Sequence, residues 1–308
     1  MELAKITAQQ VAVLFLLIFT GFMGVKTGVL KMEGKKHFSD LLIYLVVPAM
    51  IFNSYLTETD QALLQNLAEA FGLSAVLLLT GVVITFLVFS GLRNQEGPII
   101  RFACMFSNAA YMGFPLIQAL FGSEGLLYAS AYVTVFNILL WTVGYGMVSR
   151  KVRLGEMIHS IAVTPVIWAM LAGMAVFFLQ IPVPQVIRQP LSYIGNMNTP
   201  LSMLITGMLI AGCDLKKLTG RKQLLLIAGI RMLLIPGICF LIFYLLRLNS
   251  TVASIVLLLE ACPCAAITSV FAVQFGFDEE LAAGSVVLTT FLSIVMLPLW
   301  AYLLTTVL

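Results

Sequence analysis

The chain has 308 residues, of which 61% are hydrophobic and only 10% charged, far from the soluble average of about 45–50% apolar and about 25% charged. Apolar runs of roughly 20 residues, each long enough to cross a hydrocarbon core of about 30 Å, recur along the whole length, so the chain reads as a membrane protein with no room for a soluble domain. The net charge of +3 follows membrane topology and points to no nucleic-acid partner.

The first apolar run, 8–30, follows MELAKITAQQ. It has one early lysine and no A-x-A-like cleavage site after it, so it reads as a retained span and not as a signal peptide. Further spans are predicted at 38–56, 64–91, 98–121, 125–148, 160–180, 186–213, 223–246, 250–275 and 281–307. Ten helices nearly fill the chain. Twelve basic residues lie in alternate connectors or at their edges: Lys31, Lys35, Lys36, Arg93, Arg101, Arg150, Lys151, Arg153, Lys216, Lys217, Arg221 and Lys222. Only Lys5, Arg188 and Arg247 fall on the other side. By the positive-inside rule both termini face outward. The connector FDEE (277–280) should then be cytoplasmic although it carries no positive charge; acidic residues count little in the rule.

The five cysteines, Cys104, Cys213, Cys239, Cys262 and Cys264, all fall in or beside apolar runs, where free thiols behave as small hydrophobes. Disulfides are not implied. Cys262 and Cys264 are spaced C-x-C, too close for the usual structural zinc pattern, and His37 and His159 sit in polar connectors elsewhere. No cofactor or structural metal is expected beyond a possible sodium ion.

Two pairs of segments resemble each other across the chain. FSDLLIYLVVPAMIF (38–52) resembles LSYIGNMNTPLSML (191–204), and LFGSEGLLYAS (120–130) resembles QFGFDEELAAG (274–284), each at an offset of about 152–154 residues. A repeat of five helices must insert its second copy upside down, the inverted topology of many secondary transporters. The expected fold is therefore all-α, ten membrane helices as a 5+5 inverted repeat, with halves 1–154 and 155–308.

Spans 4 and 9 correspond under this offset, and each carries a proline deep in its apolar run, Pro115 and Pro263. A proline removes a donor and clashes with the preceding turn, so both helices should be interrupted. The freed backbone groups are tolerable in lipid only where they line a cavity or hold a ligand. Taken singly, each proline is more often an ordinary kink, as Pro48, Pro165, Pro200, Pro236 and Pro298 illustrate. As a repeat-related pair beside polar residues, Pro115 and Pro263 point to a site near the midplane, with half-helix N-termini suited to an anion.

Glu260 is the sharper signal. It lies about ten residues into span 9, hence about 15 Å deep, where a charge costs about 2.5–3.5 kcal/mol even on the lenient insertion scale. A proton, a bound cation shared with freed carbonyls, or an ion pair with Arg231 would compensate it. Ser107 and Asn108 precede Pro115, and Ser130, Thr134 and Asn137 share one face of span 5; with Glu260 they make an all-oxygen shell fit for a hard monovalent cation. Lys26, near the cytoplasmic end of span 1, reads as a snorkelling side chain, and Glu69, near the outer end of span 3, as an interfacial charge.

The stretch SNAAYMGFPLIQALFG (107–122) resembles the fourth-helix motif of the auxin efflux carrier family. FSDLLIYLVVPAMIF, TPLSMLITGMLIAG and ACPCAAITSVFAVQFG resemble that family's helices 2, 7 and 9, so the likeness spans nearly the whole chain. The resemblance implies scaffold helices 1, 2, 6 and 7, transport helices 3–5 and 8–10, elevator-like alternating access and carboxylate substrates. It implies that Asn108 contacts substrate and that Pro115 and Pro263 are the helix-break prolines. Tyr111 and Cys264, within the resembling stretches, and Arg231, nine residues inside span 8 from Lys222, are added as candidate substrate-binding residues. Glu260 departs from the family pattern, which usually has a small residue there. A glutamate before the ninth-helix break is similar instead to the bile acid:sodium symporters, which favours cation coupling through Glu260 with Ser107, Asn108, Ser130 and Thr134, sodium ahead of proton. An uncoupled or potential-driven exporter is the alternative.

The expected location is the bacterial inner membrane, with homodimers through the scaffold helices. An intramembrane enzyme is disfavoured: Asp40, Asp60, Asp214 and Asp278 all lie at span ends, and neither histidine is buried in a span. Malate, malonate, oxalate, a bile-acid-like anion and an indole acid are all open as substrates.

Overall fold

The computed structural model describes residues 2–57, 61–91, 95–149, 155, 158, 159, 162–214 and 220–307. Among them the regular structure is helical, with one isolated extended bridge between Ser107 and Cys264. Of the residues used above, Asp60, Arg93, Arg150, Lys151, Arg153, Lys216 and Lys217 lie outside the described ones.

The helices, in chain order, are α1 (Glu2–Lys26), α2 (Met32–Ser54), α3 (Gln61–Val88), α4 (Gly97–Met105), α5 (109–121) and α6 (123–149). They continue as α7 (Pro165–Leu179), α8 (Gln185–Asn196), α9 (Asn198–Ala211) and α10 (Lys222–Leu246). The last three are α11 (Thr251–Glu260), α12 (Ile267–Phe275) and α13 (Glu279–Thr306). Each predicted span has helix over it. On length and composition α1, α2, α3, α10, α13 and the continuous 109–149 segment suit a membrane crossing. Leu16, Phe19, Val83, Leu87 and Trp168 are all more than half exposed; in water such surfaces would be aggregation liabilities, whereas acyl chains solvate them. The chain is an all-α membrane protein.

Local chemistry explains where these helices bend. Of four wide π-type turns among the described residues, those at Leu42–Val46, Ala109–Gly113 and Ile230–Leu234 each end two residues before a proline, Pro48, Pro115 and Pro236, while the fourth, Leu140–Gly144, precedes none. A proline clashes with the carbonyl four residues back, and widening the preceding turn lets the helix pass through without stopping. The chain reverses between α5 and α6 at Gly122, with φ 63° and ψ −150°, a region nearly reserved for glycine. Ser250 and Asp278 accept hydrogen bonds from the Ala253 and Leu281 N–H groups, capping α11 and α13.

One polar cluster ties three connectors together. Arg221 reaches Asp278 at 2.7 Å and Glu280 at 3.0 Å, and the Asp278 N–H donates to Glu96 at 2.9 Å. The connectors before α4, before α10 and before α13 therefore share one end of the bundle, so the acidic FDEE segment lies with Arg221. Partial burial raises the Asp278 carboxyl, but the Leu281 N–H and Arg221 outweigh it and hold it below the usual carboxylate range. A depressed carboxyl contributes stability above its unfolded pKa of about 3.9 and loses it as pH falls through the lower folded value. Thermal midpoints in detergent measured from pH 6 down to pH 3 should therefore fall less steeply for Arg221→Gln than for the wild type; equal slopes would discount the cluster.

Candidate functional site

Spans 4 and 9 are both interrupted. α4 ends at Met105 with Phe106 extended (φ −105°, ψ 123°), and helix resumes at Ala109; α11 ends at Glu260 and helix resumes at Ile267. The two breaks lie antiparallel. Asn108 N–H donates to the Pro263 carbonyl at 2.7 Å, Ala265 N–H donates to the Phe106 carbonyl at 2.9 Å, and Ser107 faces Cys264 between them. Cys264 N–H donates to Thr289 Oγ1 on α13 at 3.0 Å. Backbone groups released by one interruption are thus satisfied by the other, which is how non-helical chain persists at this depth.

The proline signals act unequally. Pro263 lies inside its break and supplies a carbonyl to the crossing. Pro115 lies within α5, two residues past the π-type turn, and the break comes earlier at 106–108. The widened turn before it lets the helix pass through Pro115; the interruption of span 4 falls on the Phe-Ser-Asn stretch. Asn108 is 4% exposed and its side chain does not cap the helix it begins, leaving the amide for other contacts. Tyr111 is half-buried and faces Ser39 and Asp40 of α2.

Arg231 compensates Glu260. Its Nη2 lies 2.7 Å from Glu260 Oε1, and both side chains are 0% exposed. Arg231 Nη1 donates to the carbonyls of Cys104 and Met105, each at 3.1 Å, at the C-terminal end of α4. Tyr132 donates to Glu260 Oε2 at 2.6 Å and pairs with Ser107 at 3.0 Å. Gly81 of α3 lies against Glu260 and Ile235. Arg231, Glu260 and Ser107 therefore form one buried network joining the ends of α4 and α11.

Ser130 and Thr134 lie outside that network. Ser130 pairs with Tyr55, just past the C-terminal end of α2, at 2.8 Å and donates to the Leu127 carbonyl at 2.6 Å; Thr134 donates to the Ser130 carbonyl at 2.8 Å and meets Met170 of α7 at 2.7 Å. Tyr132 lies two positions from each, about 200° around the helix, which is why one face of α6 meets Glu260 and another meets α2 and α7. Lys26 stacks on Phe22 at 5.5 Å, and Glu69 accepts from Ser250 at 2.5 Å. Cys262 and Cys264 are free, buried thiols, with Cys262 donating to the Leu258 carbonyl.

Two residues without an earlier signal belong here. Tyr132 is one: a tyrosine buried in an apolar helix needs a partner for its hydroxyl. Asn198, at the start of α9, is the other. It is fully buried, and neither polar atom of its side chain has a partner among the described residues. Helix α9 packs against the turn that opens α5. Two surface hollows, 440 Å³ beside Arg247 and 570 Å³ beside Lys26, lie at the ends of the bundle and are lined by no residue of the crossing.

The polar centre of this helical membrane protein lies where two interrupted helices cross, an arrangement typical of secondary transporters. Comparison narrows this. The family described as "Membrane transport protein" matches residues 6–157 and 151–301, and the chain belongs to it, the auxin efflux carrier family that its motifs resemble. An "Uncharacterized transporter" of Methanothermobacter thermautotrophicus is 24% identical over 97% of this chain and 98% of its own, and one of Methanocaldococcus jannaschii is 24% identical over 96% and 97%. A protein of Rhizobium meliloti named "Putative malonate transporter" is 24% identical over 91% of this chain and 90% of its own. The family and these relatives are named as transporters, not enzymes.

Proposed function

We propose that this protein is a secondary carrier of small carboxylates, working by alternating access around the crossing of spans 4 and 9. The observation that carries the reading is the antiparallel pairing of the two breaks, Asn108 N–H on the Pro263 carbonyl and Ala265 N–H on the Phe106 carbonyl. In this reading the N-terminal ends of α5 and α12, with their partial positive charge, and the Asn108 amide at the start of α5 attract the substrate carboxylate to the crossing. The name of the Rhizobium meliloti relative supports a dicarboxylate such as malonate. We read the chain as ten membrane helices in a 5+5 inverted repeat, a reading supported by two helix breaks from opposite halves of the chain pairing antiparallel. In this reading spans 1, 2, 6 and 7 are the scaffold and spans 3–5 and 8–10 the moving bundle. Hydrogen bonds such as Tyr55–Ser130 and Thr134–Met170 then lie on the sliding surface and must break in each cycle. The shared end of Arg221, Asp278 and Glu96 supports termini directed outward from a cytoplasmic membrane.

Proteoliposomes offered labelled malonate, malate, oxalate and an indole acid test the reading. At least one small carboxylate should accumulate, and Asn108→Ala should slow its entry about 10- to 100-fold, the effect of losing a hydrogen bond of about 1.5–3 kcal/mol to a charged group. The gel-filtration profile should be unchanged. Asn108→Ala moving substrate at the wild-type rate, or no carboxylate moving at all, would sink the proposal.

A further inference from the structure

We propose that Arg231 is a tethered cation occupying the oxygen-lined position that a dissociable cation would otherwise fill, so that the wild-type protein binds and requires no sodium there. The proposal rests on the carboxylate-carrier reading only for its transport consequence.

The argument starts from the donors. The Glu260 carboxylate and the carbonyls of Cys104 and Met105 converge at the point where α4 stops. These carbonyls belong to the negative end of a half-helix, where a cation is favoured. An anionic carboxylate with two unpaired carbonyls is a set of hard oxygens fit for a monovalent cation. Here one guanidinium satisfies all three partners, with Nη2 on Glu260 and Nη1 on both carbonyls. The fork geometry of arginine suits this, because a single planar group presents donors in two directions. Tyr132 takes the second oxygen of Glu260, so both carboxylate oxygens are engaged.

The attachment of Arg231 is as telling as its contacts. It projects from the π-type turn Ile230–Leu234, and turns of this kind concentrate at functional positions. Admitting sodium would require the guanidinium to withdraw into a site where it is fully covered and has no other carboxylate among its hydrogen-bond partners. A buried arginine without its counter-charge is strongly disfavoured. Glu260 and Arg231 together carry no net charge, so the moving bundle crosses the bilayer without importing an ion to neutralise its own carboxylate.

The test uses two readouts on the purified full chain. The first is the thermal unfolding midpoint in sodium chloride against choline chloride at equal ionic strength, since a ion that binds the folded state raises the midpoint. The second is labelled malonate uptake with sodium replaced by choline. For the wild type the midpoints should coincide and uptake should be unchanged. Arg231→Ala should gain a sodium-specific rise in its midpoint because the oxygen set is then open, whereas Arg231→Lys, which keeps a tethered charge, should show none. A sodium-specific rise in the wild type, a fall in its uptake of about tenfold in choline, or a folded Arg231→Ala indifferent to sodium would each overturn the proposal. If Arg231→Ala does not fold, the wild-type midpoints and the lysine variant still decide. Absence of malonate uptake under every condition would count against the carrier reading alone, because the midpoints do not depend on a substrate.

Discussion

Arg231→Met should cost about 3–5 kcal/mol of stability, the usual penalty for removing one partner of a buried ion pair. The substitution strands three groups at once: the Glu260 carboxylate, which is 0% exposed, and the carbonyls of Cys104 and Met105. Glu260→Gln should cost less. The glutamine oxygen still accepts from Arg231 or Tyr132, and the guanidinium keeps both carbonyls and the negative end of α4. Arg231→Met with Glu260→Gln should be more stable than Arg231→Met alone, since the double variant buries no unpaired charge. That ordering separates a charge effect from a packing effect, because methionine fills much of the arginine volume in every case. Unfolding midpoints of the four proteins in one detergent form the double-mutant cycle. If Arg231→Met unfolds with the wild type, or if the second substitution adds its full cost to the first, the pair does not hold the two half-helix ends together.

Much of this arrangement was legible in the sequence, and the parts that were not share a cause. Span positions followed from apolar run length, because a chain that must satisfy its backbone in lipid has almost no option but helix. Glu260 stood out since a carboxylate so deep in an apolar run demands a partner, and Arg231 was one of three partners the residues allowed. The choice among them depends on where the π-type turn Ile230–Leu234 aims the side chain relative to the ends of α4 and α11, which is tertiary information. The same holds for Ser130 and Thr134. Their spacing placed them on one face of a helix, but which face meets Glu260 is decided by how α6 rotates against α11, and the answer is the Tyr132 face. Pro115 marked the right helix and the wrong residue: a proline's local cost is absorbed by widening one turn, while the interruption at 106–108 is stabilised by pairing with 263–265 from the other half of the chain. Asn198 gave no signal because an asparagine near a helix start is ordinary until its burial and lack of partners are known.

Glycines were the least legible feature, and Gly207→Ala should show what they do. A Cβ on Gly207 would lie 2.1 Å from the Ile18 carbonyl oxygen and 2.6 Å from the Phe22 nitrogen; one on Gly21 would lie 2.4 Å from the Leu204 carbonyl oxygen. Gly21 on α1 and Gly207 on α9 thus each face the backbone of the other helix. Small residues permit this approach, and in lipid, where apolar side chains gain little by leaving their surroundings, close van der Waals contact between helices supplies much of the association. Backbone atoms cannot rotate aside as a flexible side chain does, so α1 and α9 must separate along their contact. The cost should reach or exceed the upper end of the usual overpacking range of about 1–3 kcal/mol. Gly72→Ala is the matched control. No heavy atom outside its own helix neighbourhood lies within 4 Å of the added carbon, so alanine should stabilise α3 by about 0.5–1 kcal/mol through helix propensity. Opposite shifts in unfolding midpoint from the same one-carbon change would locate the effect in the α1–α9 contact. A Gly207→Ala protein as stable as the wild type would mean that these two helices do not approach backbone to backbone, and a rigid scaffold built on them would lose its physical basis.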